Sequence, residues 1–196
     1  MSLRERRRRQ TALEIQAATL ALAREHGFEQ ITTEAIAQAA GISPRTFFNY
    51  YPYKEAAVLG PPREISPEAI AAFTASDADL SDDLAQLFKT HLRLTWEGRI
   101  ETLRAMIELT REHPRIMALH QSALFGLRET LQEVIGRRLP DDPVLSRLLA
   151  LLMLDAARVA LEGWLSGDET LEAQIDAVFG RLPDLGQILT RSGGRA

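Results

Sequence analysis

Apolar residues recur at intervals of three and four through almost the whole chain, the period of helix. No segment alternates apolar and polar residues long enough to make a strand. Breaks in the pattern divide the N-terminal part into short pieces. A first helix is predicted from Arg4 to His26, with Leu13, Ala17, Leu20 and Ala21 as its inner stripe and Gly27 as its C-terminal cap. Thr32 or Thr33 caps a short second helix, in which Ile36, Ala37 and Ala40 face inward. Gly41-Ile42-Ser43 reads as a tight turn. Ser43 caps a third helix, and Pro44 occupies its first position, where a missing N–H costs nothing. That helix runs to about Tyr51 and is stopped by Pro52. A fourth begins near Tyr53 or Lys54 and fades by Gly60-Pro61-Pro62.

Residues 60–82 read as a connection holding Pro61, Pro62 and Pro67 and the acids Asp77, Asp79, Asp82 and Asp83. Ser66-Pro67-Glu68 can start one short helix within it. Ser81 is a suitable cap for the next long helix, with Asp82 and Asp83 at its positive end. Five further helices are predicted near 82–97, 100–112, 114–139, 143–166 and 168–189, separated by Pro114, Pro140, Pro143 and Gly167. The chain is therefore expected to be all-α, with about nine helices. A head over 1–58 precedes a helical bundle over 59–196.

Composition agrees with a folded chain. Of 196 residues, 45% are hydrophobic and 26% charged, the balance of a globular protein. Cysteine is absent, which excludes disulfides and thiolate metal sites. The longest apolar run, Leu148 to Leu154, is too short to span a bilayer, and no apolar stretch follows the first arginines as a secretory signal requires. The expectation is a cytoplasmic protein with no membrane partner. The net charge of −4 hides an asymmetry. Residues 1–54 carry eight basic and five acidic groups, against 15 and 22 in the remainder. A basic end on an acidic body points to a polyanion at that end. Arg6 to Arg9 read either as a solvated tail or as a basic arm that touches phosphates or the minor groove.

Two short helices joined by a Gly-containing turn between Thr32 and Lys54 make a helix-turn-helix. Ile36, Ala37, Ala40, Ile42 and Phe47 can bury the inner faces. Arg45, Thr46, Phe48, Asn49 and Tyr50 remain around the third helix, which suits base edges and phosphates. Of the two tyrosines that follow, Tyr51 is the better candidate to fill the core. The run Gly27-Phe28, Thr32-Thr33-Glu34-Ala35-Ile36-Ala37, then Ala40-Gly41-Ile42-Ser43-Pro44-Arg45-Thr46-Phe47-Phe48-Asn49-Tyr50-Tyr51-Pro52-Tyr53-Lys54-Glu55 resembles the N-terminal domain of the TetR family of bacterial regulators over roughly residues 8–58. The resemblance implies a homodimer on a palindromic operator in double-stranded DNA, and repression relieved by a small organic ligand. It implies phosphate contacts from Thr33, Tyr50 and Lys54, a backbone or base contact from Thr46, and sequence reading by Arg45 and Asn49. Phe48 stands where the family commonly has tyrosine, so a hydroxyl contact is missing. Tyr53 replaces the usual serine at the start of the fourth helix.

The body offers less. His91 and Thr95 lie on the apolar stripe Leu84, Leu87, Phe88, His91, Leu92 and Thr95. They are either satisfied core residues or ligand hydrogen-bonding groups in a pocket. Asp155, Arg158 and Glu162 interrupt the most apolar helix, either as an ion pair at a subunit interface or as polar groups aimed into a cavity. That helix must be covered on several sides, which predicts a dimer held by the segments near 143–189. Enzyme constellations are missing. The four histidines include no i, i+4 pair and none has glutamate three residues before it, so zinc and di-iron helix sites are excluded. There is no Gly-x-Ser-x-Gly and no phosphate loop. A calcium loop starting at Asp77 would need glycine at 82 and glutamate at 88, which are Asp82 and Phe88. No catalytic residue, metal or cofactor is expected. The second class kept open is a helical small-molecule-binding or scaffold protein without a DNA role, which predicts no basic bias at the head.

Overall fold

A computed structural model describes residues 2–62, 64–96 and 98–191. The elements, in order, are α1 (Leu3–His26), a 3-10 turn (Phe28–Gln30), α2 (Thr33–Ala39), α3 (Pro44–Phe48), α4 (Lys54–Leu59), α5 (Pro67–Ala75) and α6 (Leu80–Trp96). They continue with α7 (Ile100–Glu112), α8 (Pro114–Gly136), α9 (Pro143–Ser166), α10 (Leu171–Phe179) and α11 (Leu182–Arg191). No strand occurs among the described residues.

The single helix expected over 168–189 is two helices, broken at Gly180-Arg181, where Pro183 can stand only in the first turn of a new helix. The short helix after Ser66 forms, with the Ser66 hydroxyl accepting from Ala69 N–H at 3.0 Å. Helix α6 begins at Leu80, so Ser81 lies inside it and is not its cap, while Asp82 and Asp83 do occupy the first turn. The expected end of that helix at Glu97 lies outside the described residues.

The chain divides into two compact units, Met1–Arg63 with Gly98–Phe125, and Glu64–Glu97 with Gly126–Ala196. In the first, α1 packs against α2, α4 and α7, and α2 packs against α3. Ile15, Ile36, Ala37, Phe47, Ala57 and Val58 are fully buried. The inner face of α1 differs from the expected stripe. Ala12, Ile15, Gln16, Thr19, Leu20 and Ala23 are buried, Leu13 is half-buried, and Ala17 and Ala21 are exposed. Two polar residues belong to the true face because their donors find carbonyls, although the Gln16 Oε1 stays buried without a partner. Gln16 Nε2 donates to the Val58 carbonyl at 2.9 Å, and the Thr19 hydroxyl donates to the Ile15 carbonyl at 2.8 Å. Tyr51 fills the core as expected, its hydroxyl donating to the Ala12 carbonyl at 3.0 Å.

The segment after residue 98 joins this unit at specific points. His113 Nδ1 lies 3.3 Å from Glu29 and its ring 4.9 Å from that of Phe28. Arg115 pairs with buried Glu55 at 3.2 Å and stacks 5.4 Å from the centre of the Tyr53 ring.

In the second unit, α10 packs against α9 and α6, and α5 packs against α6. Phe88 stacks on Phe179 at 5.5 Å. Arg138 pairs with Asp83, donates to the Ala78 carbonyl at 2.9 Å and covers the Phe73 ring. Met153, Ala157, Ala160 and Trp164 line the buried side of α9.

Candidate nucleic-acid interface

The turn between α2 and α3 is built by local chemistry. Thr32, not Thr33, is the cap of α2, its hydroxyl accepting from Ala35 N–H at 3.1 Å. Gly41 takes φ 67°, a left-handed angle that a side chain resists. The Ser43 hydroxyl accepts from Thr46 N–H at 3.1 Å and lies 2.8 Å from the Thr46 hydroxyl. Phe47 is then the inward anchor of α3 at 0% exposure. With Phe47 inward, the helical period turns Arg45, Phe48 and Asn49 outward, and all three are exposed. Arg45 makes no ion pair with any described residue, so its guanidinium is available to an acceptor outside the chain. Phe48 packs edge-on against Phe47 at 5.4 Å and offers an apolar face beside the polar ones.

Thr33 is the first residue of α2 and is half-buried. Its hydroxyl donates to Glu34 at 3.2 Å. The Glu34 carboxyl is held below its ordinary value, first by its own backbone N–H and then by the Thr33 hydroxyl. Lys54 is placed differently from the other candidates. Its ammonium donates to the carbonyls of Phe28, Glu29 and Ile31 at 2.9, 3.2 and 3.1 Å and sits 4.7 Å from the centre of the Phe28 ring. A lysine has three donors, so this geometry uses all of them on the turn that follows α1.

Thr46, Asn49 and Tyr50 share an open groove of about 410 Å³ with Arg4, Arg7, Arg8 and Thr11 of α1. The arginines stand on regular helix. Ser2 and Glu5 form a capping box, with Ser2 N–H donating to the Glu5 carboxylate and Glu5 N–H to the Ser2 hydroxyl. Both bonds hold the Glu5 carboxyl below its usual value. Arg8 lies 5.9 Å from the centre of the Tyr50 ring. Arg9 does not line the groove. It is half-buried, and its charge is the second cause, after burial, of the lowered value of Arg99 at the start of α7. The N-terminal basic run is therefore part of α1 and not a free tail. Sequence reasoning left Arg4 and Thr11 out. The signals were the Ser2-x-x-Glu5 spacing and the i, i+3, i+4 spacing of Arg4, Arg7 and Arg8.

The body candidates are not brought to one place. Thr95 is buried and His91 half-buried on α6, on the same face as Leu84, Leu87 and Leu92. Asp155 and Arg158 are exposed on α9. Arg158 pairs with Asp155 at 3.3 Å and with Glu162 at 3.1 Å, and these two partners, Glu162 first, raise its value. Among the described residues no group of three or more His, Cys, Asp or Glu could hold a metal ion. Among the same residues no helix is long and apolar enough to cross a membrane.

A two-helix reader with a buried aromatic anchor, a guanidinium, hydroxyl and amide outward, and an arginine-lined groove alongside defines a DNA-binding regulator of the helix-turn-helix class. Residues 15–59 match the family described as bacterial regulatory proteins, tetR family. The HTH-type transcriptional regulator TcmR of Streptomyces glaucescens is 28% identical over 182 residues, covering 87% of this chain and 80% of that one. The fold is also that of FadR from Bacillus subtilis, solved with stearoyl-CoA, at TM-score 0.59 and 19% identity over 87% of this chain and 96% of that one. Thermus thermophilus FadR, a TetR-family transcriptional repressor solved with lauroyl-CoA, matches at TM-score 0.51 and 25% identity over 88% and 93%. Residues 15–59 are thus similar to the DNA-binding region of the tetR family, and the chain is similar over most of its length to a helix-turn-helix transcriptional regulator.

Proposed function

We propose that this regulator is a ligand-responsive repressor that binds a palindromic operator as a homodimer, acting in the cytoplasm by binding and not by catalysis. The observation that carries the DNA part is the outward set Arg45, Thr46 and Asn49 on a helix anchored by Phe47. Arg45 and Asn49 read base edges, Thr46 contacts backbone or base, Tyr50 stands at a phosphate, Thr33 takes a phosphate at the start of α2, and Phe48 offers apolar contact to a thymine methyl. The domain over 1–58 carries this surface, and the region 59–196 carries dimerisation and ligand binding.

Dimerisation is supported by apolar residues left uncovered in one chain. Val144, Leu145, Leu148 and Val159 on α9 and Leu185 and Ile188 on α11 are 40–68% exposed. A single chain rarely leaves so many large apolar side chains exposed on two helices, and an isologous contact would cover them. Asp155 and Arg158 lie on α9 with them, which favours the interface role over the pocket role. His91 and Thr95 are the polar groups offered to a ligand. An apolar-chained molecule is the first class to test, since the Thermus thermophilus relative was solved with lauroyl-CoA.

Coupling has a physical path within the first unit. Helix α7 packs on α1 and α4, and the α7–α8 corner grips the head through His113 on Phe28 and Glu29 and through Arg115 on Glu55. A ligand that favours one position of this corner would change the head, whereas equal affinity for both would shift nothing. The test is selection of bound duplexes from a random pool, followed by competition with acyl thioesters and other metabolites. Recovery of a two-fold symmetric site, released by one compound class, is the expected result. A pool with no enriched sequence would refute the reading.

A further inference from the structure

The groove beside α3 has one wall that a helix-turn-helix alone does not supply. Arg4, Arg7 and Arg8 come from the first two turns of α1, and Thr46, Asn49 and Tyr50 from the reading segment. We propose that the start of α1 is a second phosphate-binding edge of the DNA interface, in which Arg4, Arg7 and Arg8 take backbone phosphates beside the base-reading surface and Tyr50 positions Arg8. The inference rests on the DNA-binding reading above and adds residues to it.

Three observations carry it. The spacing i, i+3, i+4 puts the three guanidinium groups on one face of a helix. Every residue lining the groove is cationic or neutral, in a chain whose net charge is −4. The helical backbone that carries the arginines, and the Arg8 side chain itself, are also held before any ligand arrives. The capping box of Ser2 and Glu5 secures the first turn, and the Tyr50 ring lies 5.9 Å beneath the Arg8 guanidinium, within the range of a cation–π contact. Preorganised groups lose less conformational freedom on binding than a flexible arm would. Phosphates come in a row along a duplex, and an open groove continuous with Asn49 and Thr46 can take one strand while those side chains read bases. Tyr50 acts through Arg8, so its ring matters more than its hydroxyl.

The experiment uses the full chain and a duplex selected from a random pool. Affinity is measured from 50 to 200 mM salt for the wild type and for Arg4→Gln/Arg7→Gln/Arg8→Gln. Each phosphate contact contributes about 0.9 to the slope of log affinity against log salt, so three lost contacts should make the variant lose about 40-fold less affinity over that range. The enriched sequence should not change. Arg8→Gln should have its full effect in a Tyr50→Phe background and little in Tyr50→Leu, the signature of a positioning ring. The three arginines are exposed, and unchanged melting of the triple variant would exclude misfolding. A folded triple variant with the wild-type salt slope overturns the inference and leaves the DNA-binding reading intact. An unchanged slope together with lost binding of inorganic phosphate or a mononucleotide would overturn it by assigning the groove to a small anion. A wild type that selects no duplex takes both readings down.

Discussion

Replacing Lys54 with methionine separates two roles that the same ammonium cannot fill at once. Methionine keeps an unbranched apolar side chain of similar length and removes the three donors. In the folded chain those donors reach Phe28, Glu29 and Ile31 carbonyls at 2.9, 3.2 and 3.1 Å. A hydrogen bond from a charged group contributes about 1.5–3 kcal/mol, but three on one half-exposed lysine share the same desolvation and do not add. A loss of about 3 kcal/mol is the reasonable sum. For a chain of this size that lowers the melting temperature by about 6–12 °C. The turn they tie down lies between α1 and α2, so the loss should fall on the whole head. The slope of affinity against salt should not change, because no phosphate contact is removed. Thermal melting by circular dichroism and salt-dependent duplex binding, on the same preparation, read both quantities. A Lys54→Met variant that melts like the wild type and whose salt slope is flatter by about 0.9 would refute the reasoning and show the ammonium on DNA.

Asn49 is exposed at the C-terminal end of α3. Asn49→Ala should leave melting unchanged and cost about 1–3 kcal/mol of discrimination at one base pair, seen as a changed consensus in selection. An unchanged consensus would remove Asn49 from the reading set. Gly60 has φ 75°, and a Cβ there would stand 2.5 Å from the buried Gln16 amide. Gly60→Ala should therefore destabilise by about 2–4 kcal/mol through left-handed strain and overpacking, measured by denaturant unfolding, and a neutral result would mean that Gln16 can move aside. Leu148 is 57% exposed on α9. Leu148→Asp should convert a dimer into a monomer in light scattering, and a dimer of unchanged mass would place the interface elsewhere.

Much of what depended on neighbouring residues was legible in the sequence, although the Ser81 cap was misplaced and the break at Gly180-Arg181 and the Ser2/Glu5 capping box were missed. The Ser43 cap, the Pro44 start and the Gly41 turn act over three or four residues, so their spacing defines the turn and α3, while the choice of Thr32 over Thr33 as the cap of α2 came from the structure. Phe47 inward with Arg45 and Asn49 outward follows from the helical period once the unit is placed. Tyr51 as a core residue was legible for the same reason. Distant partners were not legible. Gln16 is an inner residue of α1 only because Val58, 42 positions away, offers a carbonyl to its amide. A pattern of apolar spacing had put Ala17 and Ala21 on that face instead. Lys54 looked like a phosphate ligand because its charge was all that the sequence showed. The folded chain places three carbonyls around it. The arginines of α1 and the side chains of Thr46 and Asn49 lie more than 35 positions apart, and only the packing of α1 around the helix-turn-helix makes one groove of them. Local hydrogen bonding and period set the elements of this protein, while the tertiary structure decided which polar groups found partners within the chain and which were left for DNA.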